Sequence, residues 1–263
     1  MISEHSPDLV IVTGAGRGIG RSIALEFGRA GIQVLCVSRS ENAAGTATAI
    51  RGGGGSADSI AVDLGDFDEA GARVGAWLGD KTYERVGMVL AAATLGPSGG
   101  LKSAALAGWD FAWRVNVLGN LAVVQAALPT MLKHKFGRLA FFAGGGSAYA
   151  YPLFPAYAAT KTALVRAVEN LHEDLKDMGD FAVTILAPGA VETDILAAVR
   201  EQGGYVRTTV GMEEPVSFVR QFVLAESCAF SGCFVHVRDE WAPLLNSSKQ
   251  IATKDLWKLR RIE

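Results

Sequence analysis

The sequence predicts an α/β fold: a doubly wound parallel sheet of about seven strands with helices on both faces. Short apolar runs alternate with longer segments of helical period, which is typical of βαβ units. Hydrophobic residues make up 49% of the 263 residues, enough to form one large core without disulfides or metals. No Pro-rich linker or second core interrupts the pattern. We therefore expect a single domain over residues 1–263.

The predicted strands are runs rich in Val, Ile, Leu and Phe. They lie at Leu9–Thr13, Val34–Val37, Ser59–Val62, Met88–Ala92, Arg138–Phe142, Ala182–Leu186 and Cys233–Val237. Strands covered by helices on both faces are continuously apolar, as these are. Around this core, at about 9–237, we expect a lid at about 190–212 and a less regular tail at about 238–263.

Charge and hydropathy exclude several classes of partner. The 25 basic and 27 acidic residues are mixed along the chain, so no long-range field attracts nucleic acid or anionic lipid. The N-terminus has no basic region followed by an apolar one, and no apolar run approaches the about 20 residues that span a bilayer. We expect no nucleic-acid or membrane partner, and a cytoplasmic location.

The three cysteines, Cys36, Cys228 and Cys233, are not grouped with other cysteines or histidines at metal-ligand spacing. Unpaired cysteines of this kind usually pack as small hydrophobic residues. We expect each to be buried, and we expect no metal site.

The first predicted strand ends in a glycine-rich turn, TGAGRGIG, and a helical segment follows it. Glycines allow the backbone to approach a pyrophosphate, and the N-terminus of the next helix attracts its charge. The spacing G-x-x-x-G-x-G differs from the common dinucleotide fingerprint. The residues predicted to bind a dinucleotide here are Gly14, Arg17, Gly18, Ile19 and Gly20.

The end of the second strand bears on which nicotinamide cofactor is bound. An acidic residue that would hold the ribose 2′-hydroxyl of NAD is missing there, and Ser38 and Arg39 follow instead. Together with Arg17, these side chains are suited to a 2′-phosphate. NADP(H) is therefore preferred over NAD(H). The alternative is that Arg39 is a solvated surface charge.

The third and fourth strands end at the same edge of the predicted sheet. Asp63 and Leu64 are expected to meet the adenine, although Asp63 or Asp66 would equally serve as the N-cap of the next helix. Ala91 and Ala92 end the fourth predicted strand, and we expect them to line the cofactor.

The sequence Tyr157-Ala-Ala-Thr-Lys161 begins a long predicted helix, so the two polar side chains lie on one face. A free phenol has a pKa of about 10. A cation about 4 Å away at an effective dielectric near 20 lowers this by about three units. A phenol tuned in this way exchanges a proton with a carbonyl or alcohol oxygen, so Tyr157 is the candidate general acid/base.

These motifs together resemble the short-chain dehydrogenase/reductase family, from Thr13 to about Val237. Two further segments, RVNV at Arg114–Val117 and PGAVET at Pro188–Thr193, extend the resemblance. It implies a Rossmann-like fold, Asn116 holding a water in a proton relay that reaches Lys161, and Lys161 bound to the nicotinamide ribose. It also implies nicotinamide contacts from Pro188, Gly189, Val191 and Thr193.

The sequence departs from the family pattern at two places. Thirteen residues before Tyr157, where the family carries a serine, stands Gly144, and the nearest hydroxyl is that of Ser147. Ser147 either enters the site on a flexible glycine loop or caps a turn. The second departure is Ala91–Thr94, which lacks the two amides that usually stabilise the centre of the sheet.

The resemblance implies an oxidoreductase that interconverts a carbonyl and an alcohol. Loss of one donor to a developing oxyanion lowers the rate by about 10²–10³, so an NADP-binding pseudoenzyme or regulatory subunit is the alternative. The segments flanking the site, Tyr151–Phe154 and Ala190–Gly211, indicate a neutral or partly apolar small-molecule substrate. The long helices at about Leu106–Lys133 and Pro155–Met178 are expected to pair in a homodimer or homotetramer.

Overall fold

The computed structural model describes residues 5–79, 81–206, 208–226, 231–245 and 257–259. One sheet of seven parallel strands has the order β3-β2-β1-β4-β5-β6-β7. The strands are β1 Leu9–Thr13, β2 Gln33–Ser38, β3 Ala57–Ala61, β4 Val86–Leu90, β5 Phe136–Phe142, β6 Asp180–Ala187 and β7 Cys233–His236. The predicted fold class is confirmed, and each strand end lies within two residues of its prediction.

Helices cover both faces of the sheet. They are α1 Gly18–Arg29, α2 Asn42–Gly52, α3 Phe67–Gly79, α4 Leu106–Trp113, α5 Asn120–His134, α6 Pro155–Leu175, α7 Asp194–Glu201 and α8 Glu213–Leu224. Helices α1, α2 and α8 bury their apolar residues in one core on one face. Helices α3, α5 and α6 form the second core on the other face. The continuous apolar runs of the strands supply both cores.

The predicted helix at about Leu106–Lys133 is interrupted. A π-helical segment, Arg114–Gly119, separates α4 from α5 and contains Asn116. Such insertions into α-helices often lie at functional sites. The combined helix Leu106–His134 is long and apolar enough to span a membrane by length and composition alone, but half of its most apolar window is buried in the protein. That is weak evidence for a membrane span.

The strand order places the candidate site. Strand β1 lies between β2 and β4, so the chain runs outward in opposite directions from this point. In sheets of this kind ligands bind at the carboxyl ends of the strands on either side of the reversal. The loops after β1 and β4 therefore border one crevice.

The described parts of the C-terminal region dock on the sheet. Trp241 packs edge-on against Phe218, with 4.8 Å between the ring centroids. The backbone N–H of Phe234 in β7 donates to the carbonyl of Trp257 at 2.6 Å. The segment at Trp257 thus covers the outer edge of the sheet, which limits edge-to-edge pairing.

Two of the cysteines can be compared with their predictions. Cys36 and Cys233 are buried and free, and burial raises the pKa of each thiol to about 12. Both are the packing residues expected from the sequence. Cys228 lies outside the described residues.

Candidate active site

The glycine turn after β1 is packed too closely for side chains. Gly14 has φ +68°, and a Cβ there would lie 2.9 Å from the Cα of Ala92. A Cβ on Gly20 would overlap the carbonyl oxygen of Gly14. Helix α1 begins at Gly18 without a side-chain cap from Arg17, so its first backbone N–H groups are available to a phosphate. The turn fits the pyrophosphate predicted for it.

A cavity of about 720 Å³ opens along this turn and the ends of β2, β3 and β4. Its lining includes every residue predicted for the adenosine and pyrophosphate end of the cofactor. These are Gly14, Arg17, Gly18, Ile19, Gly20, Ser38, Arg39, Asp63, Leu64, Ala91 and Ala92. The residues present therefore suit a dinucleotide, whose phosphates would meet the start of α1.

Some charged side chains in and near this cavity already have partners among the described residues, and others do not. Arg17 forms an exposed ion pair with Asp194 at the start of α7. Within the described part of the chain, Arg39 forms no ion pair. The carboxylate of Asp66 accepts the N–H of Glu69 at 3.1 Å and so caps α3. That leaves Asp63 on the cavity wall, as predicted for an adenine contact, with one oxygen accepting from the backbone of its own turn.

A second cavity of about 610 Å³ continues from the first and shares Ile19, Ala91 and Thr193 with it. The residues predicted for the reacting end of the site line this second cavity. They are Tyr157, Lys161, Pro188, Gly189, Val191 and Thr193. Residues from the carboxyl ends of β5 and β6 and from the start of α6 thus meet in one place.

Tyr157 and Lys161 are both buried, with 8% and 1% of their surface exposed. The Lys161 Nζ lies 5.7 Å from the centroid of the Tyr157 ring and donates to the carbonyl of Phe142 at 2.8 Å. Both side chains begin from the first two turns of α6, with Pro155 at the start of the helix. The pair has the geometry expected from its spacing.

The pKa values of the pair differ from the expectation. Burial raises the pKa of Tyr157, with a smaller contribution from the charge of Tyr151, and burial lowers the pKa of Lys161 to about 7. The expected lowering of the phenol pKa by the ammonium is therefore wrong. Both groups lose water on burial, which favours the neutral form of each.

Asn116 lines neither cavity. Its side chain is fully buried; Oδ1 accepts the N–H of Thr94 at 2.7 Å, and Nδ2 donates to the carbonyl of Thr94 and the hydroxyl of Thr160 at 2.9 Å. The carboxamide therefore ties the loop after β4 to α6 and does not face the expected cofactor. The water relay to Lys161 stays a prediction.

The amides missing at Ala91 and Ala92 are replaced from elsewhere. The hydroxyl of Thr13 donates to Asn120 Oδ1 at 2.7 Å and accepts the N–H of Ala92 at 3.1 Å. Asn120 Nδ2 donates in turn to the carbonyl of Ala92 at 3.1 Å. This buried network joins β1, the loop after β4 and α5, so the centre of the sheet keeps polar cross-links that apolar packing alone would not supply.

Comparison with known proteins agrees with this geometry. The family model described as short chain dehydrogenase matches residues 8–204. The chain belongs to the short-chain dehydrogenase family. A short chain dehydrogenase of Pseudocercospora fijiensis is 32% identical over 189 residues, which cover 70% of this chain and 60% of that protein. An uncharacterized oxidoreductase of Staphylococcus aureus is 31% identical over 194 residues, covering 72% and 80%.

A solved structure gives the same result. A proposed NAD(P)-dependent gluconate 5-dehydrogenase from Beutenbergia cavernae, with NADP bound at low occupancy, superposes with a TM-score of 0.78. It is 28% identical and covers 87% of this chain and 94% of its own. An NAD⁺-bound xylitol dehydrogenase shares the fold at 18% identity and a TM-score of 0.75. This family member is an NAD(P)-dependent dehydrogenase/reductase.

The place of the family serine is filled by the tyrosine itself. A Cβ built on Gly144 would lie 2.7 Å from Cε1 and Cζ of Tyr157 and still closer to the phenol oxygen. A serine at this position would overlap the ring where it stands. Tyr157 can occupy this position only because residue 144 is a glycine and not the serine of the family pattern.

Ser147 does not take over the missing hydroxyl. Its Oγ donates to the carbonyl of Gly144 at 2.8 Å and accepts the N–H of the same residue at 3.1 Å, and it lies outside the cavity lining. The catalytic role considered for Ser147 is wrong in this structure, and the turn-capping alternative describes it. The glycine run is short enough for the hydroxyl to satisfy both backbone groups of the turn.

Some cavity residues were not singled out from the sequence. Leu95, Ile195 and His236 line the second cavity or its border with the first. His236 ends β7, so a polar residue at the carboxyl end of a predicted strand was the available signal. Leu95 and Ile195 carry no such signal, because apolar residues are equally common in both cavities and cores.

Proposed function

We propose that the chain is an NADP(H)-dependent oxidoreductase that interconverts a carbonyl and an alcohol, with Tyr157 as the general acid/base. The observation that carries this proposal is the continuity of the two cavities. One begins at the glycine turn, and the other contains Tyr157 and Lys161. A cofactor lying along the first would present its reactive end to the second.

A bound nicotinamide supplies a hydride to the substrate carbon or accepts one from it. In reduction, the Tyr157 hydroxyl gives its proton to the carbonyl oxygen; in oxidation, the phenolate takes the proton of the alcohol. Burial raises the pKa of Tyr157, so at neutral pH the phenol holds its proton and is ready for reduction.

Lys161 stabilises the phenolate that forms in reduction. Its Nζ lies 5.7 Å from the centroid of the Tyr157 ring. At a separation of about 6 Å and an effective dielectric near 20, opposite unit charges attract by on the order of 3 kcal/mol. With a pKa of about 7, Lys161 is charged in a substantial part of the molecules at neutral pH. A negative charge on Tyr157 would raise the pKa of Lys161 and complete its protonation.

The test of the reaction uses purified protein, NADPH and a panel of ketones and aldehydes, with NADPH absorbance as the readout. We expect turnover of at least one compound, and Tyr157→Phe should lower kcat by about 10²–10⁴-fold because the proton donor is lost. Unchanged turnover in Tyr157→Phe would contradict the assignment.

The preference for NADP(H) is supported by Arg39, which lines the first cavity beside Ser38 without a partner among the described residues. We expect Arg39→Ala to weaken NADPH binding at least tenfold and to leave NADH binding unchanged, as measured by fluorescence titration. Arg29→Ala is the matched control, since Arg29 is exposed on α1 and pairs with Glu26. Unchanged cofactor affinity in Arg39→Ala would favour NAD(H).

A second candidate function is that of an NADP-binding pseudoenzyme or regulatory subunit. The absence of a hydroxyl at Gly144 and the turn-capping role of Ser147 favour it. Tight NADPH binding with no turnover across the panel would support this function over the first.

The substrate class is a neutral or partly apolar small-molecule carbonyl or alcohol. Leu196, Val199 and Tyr151 form the walls beside Tyr157. Arg200 on the lid segment pairs bidentately with Glu192 at 2.7 and 2.8 Å, so its charge is already neutralised by a protein carboxylate. The cytoplasmic location and the single domain expected from the sequence stay predictions.

A further inference from the structure

The run Gly144–Gly146 supports two tyrosines rather than one. Gly144 leaves room for Tyr157, as described above. Gly146 has φ +85°, and a Cβ there would lie 2.6 Å from Cβ of Tyr151. Gly145 faces the ring edge of Tyr151, with 3.8 Å from a built Cβ to Cε1. The glycine run is therefore a packed surface beneath both tyrosine rings.

The phenol of Tyr151 is placed to act in the site. Tyr151 is half-buried and lines the same cavity as Tyr157. Its ring lies 5.9 Å from that of the buried Phe154, which restricts its orientation. Tyr151 also packs against the small apolar cluster that contains Phe154, Tyr157 and Val199, so the two tyrosines belong to one wall of the cavity.

The hydroxyl of Tyr151 has no hydrogen-bond partner among the described residues, whereas the hydroxyls of Thr193 and Ser147 are bonded to the backbone. Among the described residues, no hydrogen bond to the Tyr151 hydroxyl is found. Thr193 donates to the carbonyl of Val191 at 3.2 Å, and Ser147 bonds both backbone groups of Gly144. A phenol that lines the cavity and has no protein partner among the described residues is free to bond a substrate oxygen.

Two more tyrosines border the cavity but lie at its mouth. Tyr149 is 68% exposed and Tyr205 is 85% exposed. Their hydroxyls face water, where a hydrogen bond to substrate contributes little. Tyr151 is therefore the side chain best suited to the donor role that a serine at position 144 would fill.

We propose that Tyr151 donates a second hydrogen bond to the substrate oxygen, in place of the missing serine. Tyr157 transfers its proton to that oxygen in reduction, whereas Tyr151 keeps its proton and stabilises the negative charge that develops. This inference rests on the proposed function and assigns a second catalytic residue to the same reaction. Burial raises the pKa of Tyr151, so its phenol remains a donor at neutral pH.

The test compares Tyr151→Phe with Tyr149→Phe on a substrate that the wild type reduces. Removal of one donor to a developing oxyanion should lower kcat and kcat/KM together by about 10²–10³-fold. NADPH affinity and the thermal unfolding midpoint should match the wild type, because the ring and its packing are kept. Tyr149→Phe removes an exposed hydroxyl from the same loop and should change kcat less than twofold.

The possible results separate this inference from the proposed function. If Tyr151→Phe is as active as Tyr149→Phe while Tyr157→Phe is inactive, Tyr151 is not a donor and the proposed function stands. A higher KM with an unchanged kcat would assign Tyr151 to substrate packing and overturn the inference. If the wild type reduces nothing, both fall. Should Tyr151→Phe fail to fold, Tyr151→His, which retains an N–H donor, should retain more activity than Tyr151→Leu; equal activity would overturn the inference.

Discussion

Gly144 shows how one absent side chain controls a reactive group. The space next to its Cα holds the phenol of Tyr157. The same residue anchors the turn through both hydrogen bonds to Ser147. A substitution at this position therefore acts first on the position of Tyr157, and only then on the number of hydroxyls in the site.

We expect Gly144→Ala and Gly144→Ser to behave alike, because both introduce the Cβ that overlaps Tyr157. Each should lower the free energy of unfolding by about 1–3 kcal/mol through overpacking. Each should also reduce turnover, since a reacting group displaced by about 1 Å loses on the order of 10²-fold in rate. Urea unfolding and steady-state kinetics measure the two effects.

Gly145→Ala is the matched control. A Cβ there makes only an ordinary contact with Tyr151 at 3.8 Å, and Gly145 has no positive φ. It should change the free energy of unfolding by less than the Gly144 variants do. Higher turnover in Gly144→Ser than in Gly144→Ala would mean that the missing hydroxyl, not the space, limits the enzyme.

Lys161 should make the stability of the ligand-free protein depend on pH. Burial lowers its pKa from 10.5 to about 7, so between these values the unfolded chain binds a proton that the folded chain does not. The destabilisation is fully present below about pH 7 and disappears as pH rises towards 10.5. The raised pKa of Tyr157 opposes this at pH above about 10, where only the unfolded phenol ionises.

Lys161→Met should therefore stabilise the protein most at pH 6 to 7, and the difference from wild type should shrink by pH 9. Urea unfolding at several pH values gives the difference in free energy of unfolding. A difference that does not change with pH would show that Lys161 keeps its charge when buried.

Helix α5 holds two loops of the site in place, although its own side chains do not line the cavity. It begins directly after the π-helical segment with Asn120, whose carboxamide bonds the Thr13 hydroxyl and the Ala92 carbonyl. These bonds hold the loop after β1 against the loop after β4, and both loops line the cofactor cavity. The element thus positions the crevice without facing it.

Asn120→Ala should leave the buried Thr13 hydroxyl and Ala92 carbonyl without this partner. We expect a loss of about 1–3 kcal/mol in the free energy of unfolding for each buried polar group left unsatisfied, together with weaker NADPH binding. The measurements are urea unfolding and fluorescence titration. Gln125→Ala, at an exposed position on the same helix, should change neither quantity; equal effects would contradict the role of the network.

On the surface of the whole molecule, the helix Leu106–His134 leaves several large apolar side chains exposed. They are Leu106, Phe111, Trp113, Leu118 and Leu132. Exposed apolar residues concentrated on one element are typical of a protein interface. This agrees with the homodimer or homotetramer that the sequence predicts through this helix. The same apolar side chains contribute to the hydropathy that makes the helix apolar enough to span a membrane.

If a second copy covers this helix, Leu118→Asp should lower the molar mass measured by light scattering during gel filtration, because a carboxylate would be buried in the interface. Leu101→Asp is the control, since Leu101 is also exposed but lies outside the helix. A monomeric wild type, or an unchanged mass in Leu118→Asp, would contradict the prediction.

The sequence by itself determined the fold class and the strands, and it predicted residues that line one cavity. Continuous apolar runs, a glycine turn at Gly14–Gly20 and the Tyr157–Lys161 spacing are local signals, and each depends on residues that are close in sequence. The carboxyl ends of parallel strands meet at one edge, so the predicted residues lie together once the strand order is known.

Only the tertiary structure decided the contacts between distant segments and the protonation of the pair. Thr13 and Asn120 are 107 residues apart, and nothing local predicts their hydrogen bond. Whether position 144 has room for a side chain depends on Tyr157, thirteen residues away, which packs against Gly144. The pKa of Tyr157 follows from burial, which raises it even though Lys161 lies on the same helix face. Spacing places two groups side by side, but the surrounding solvent and packing decide their charge.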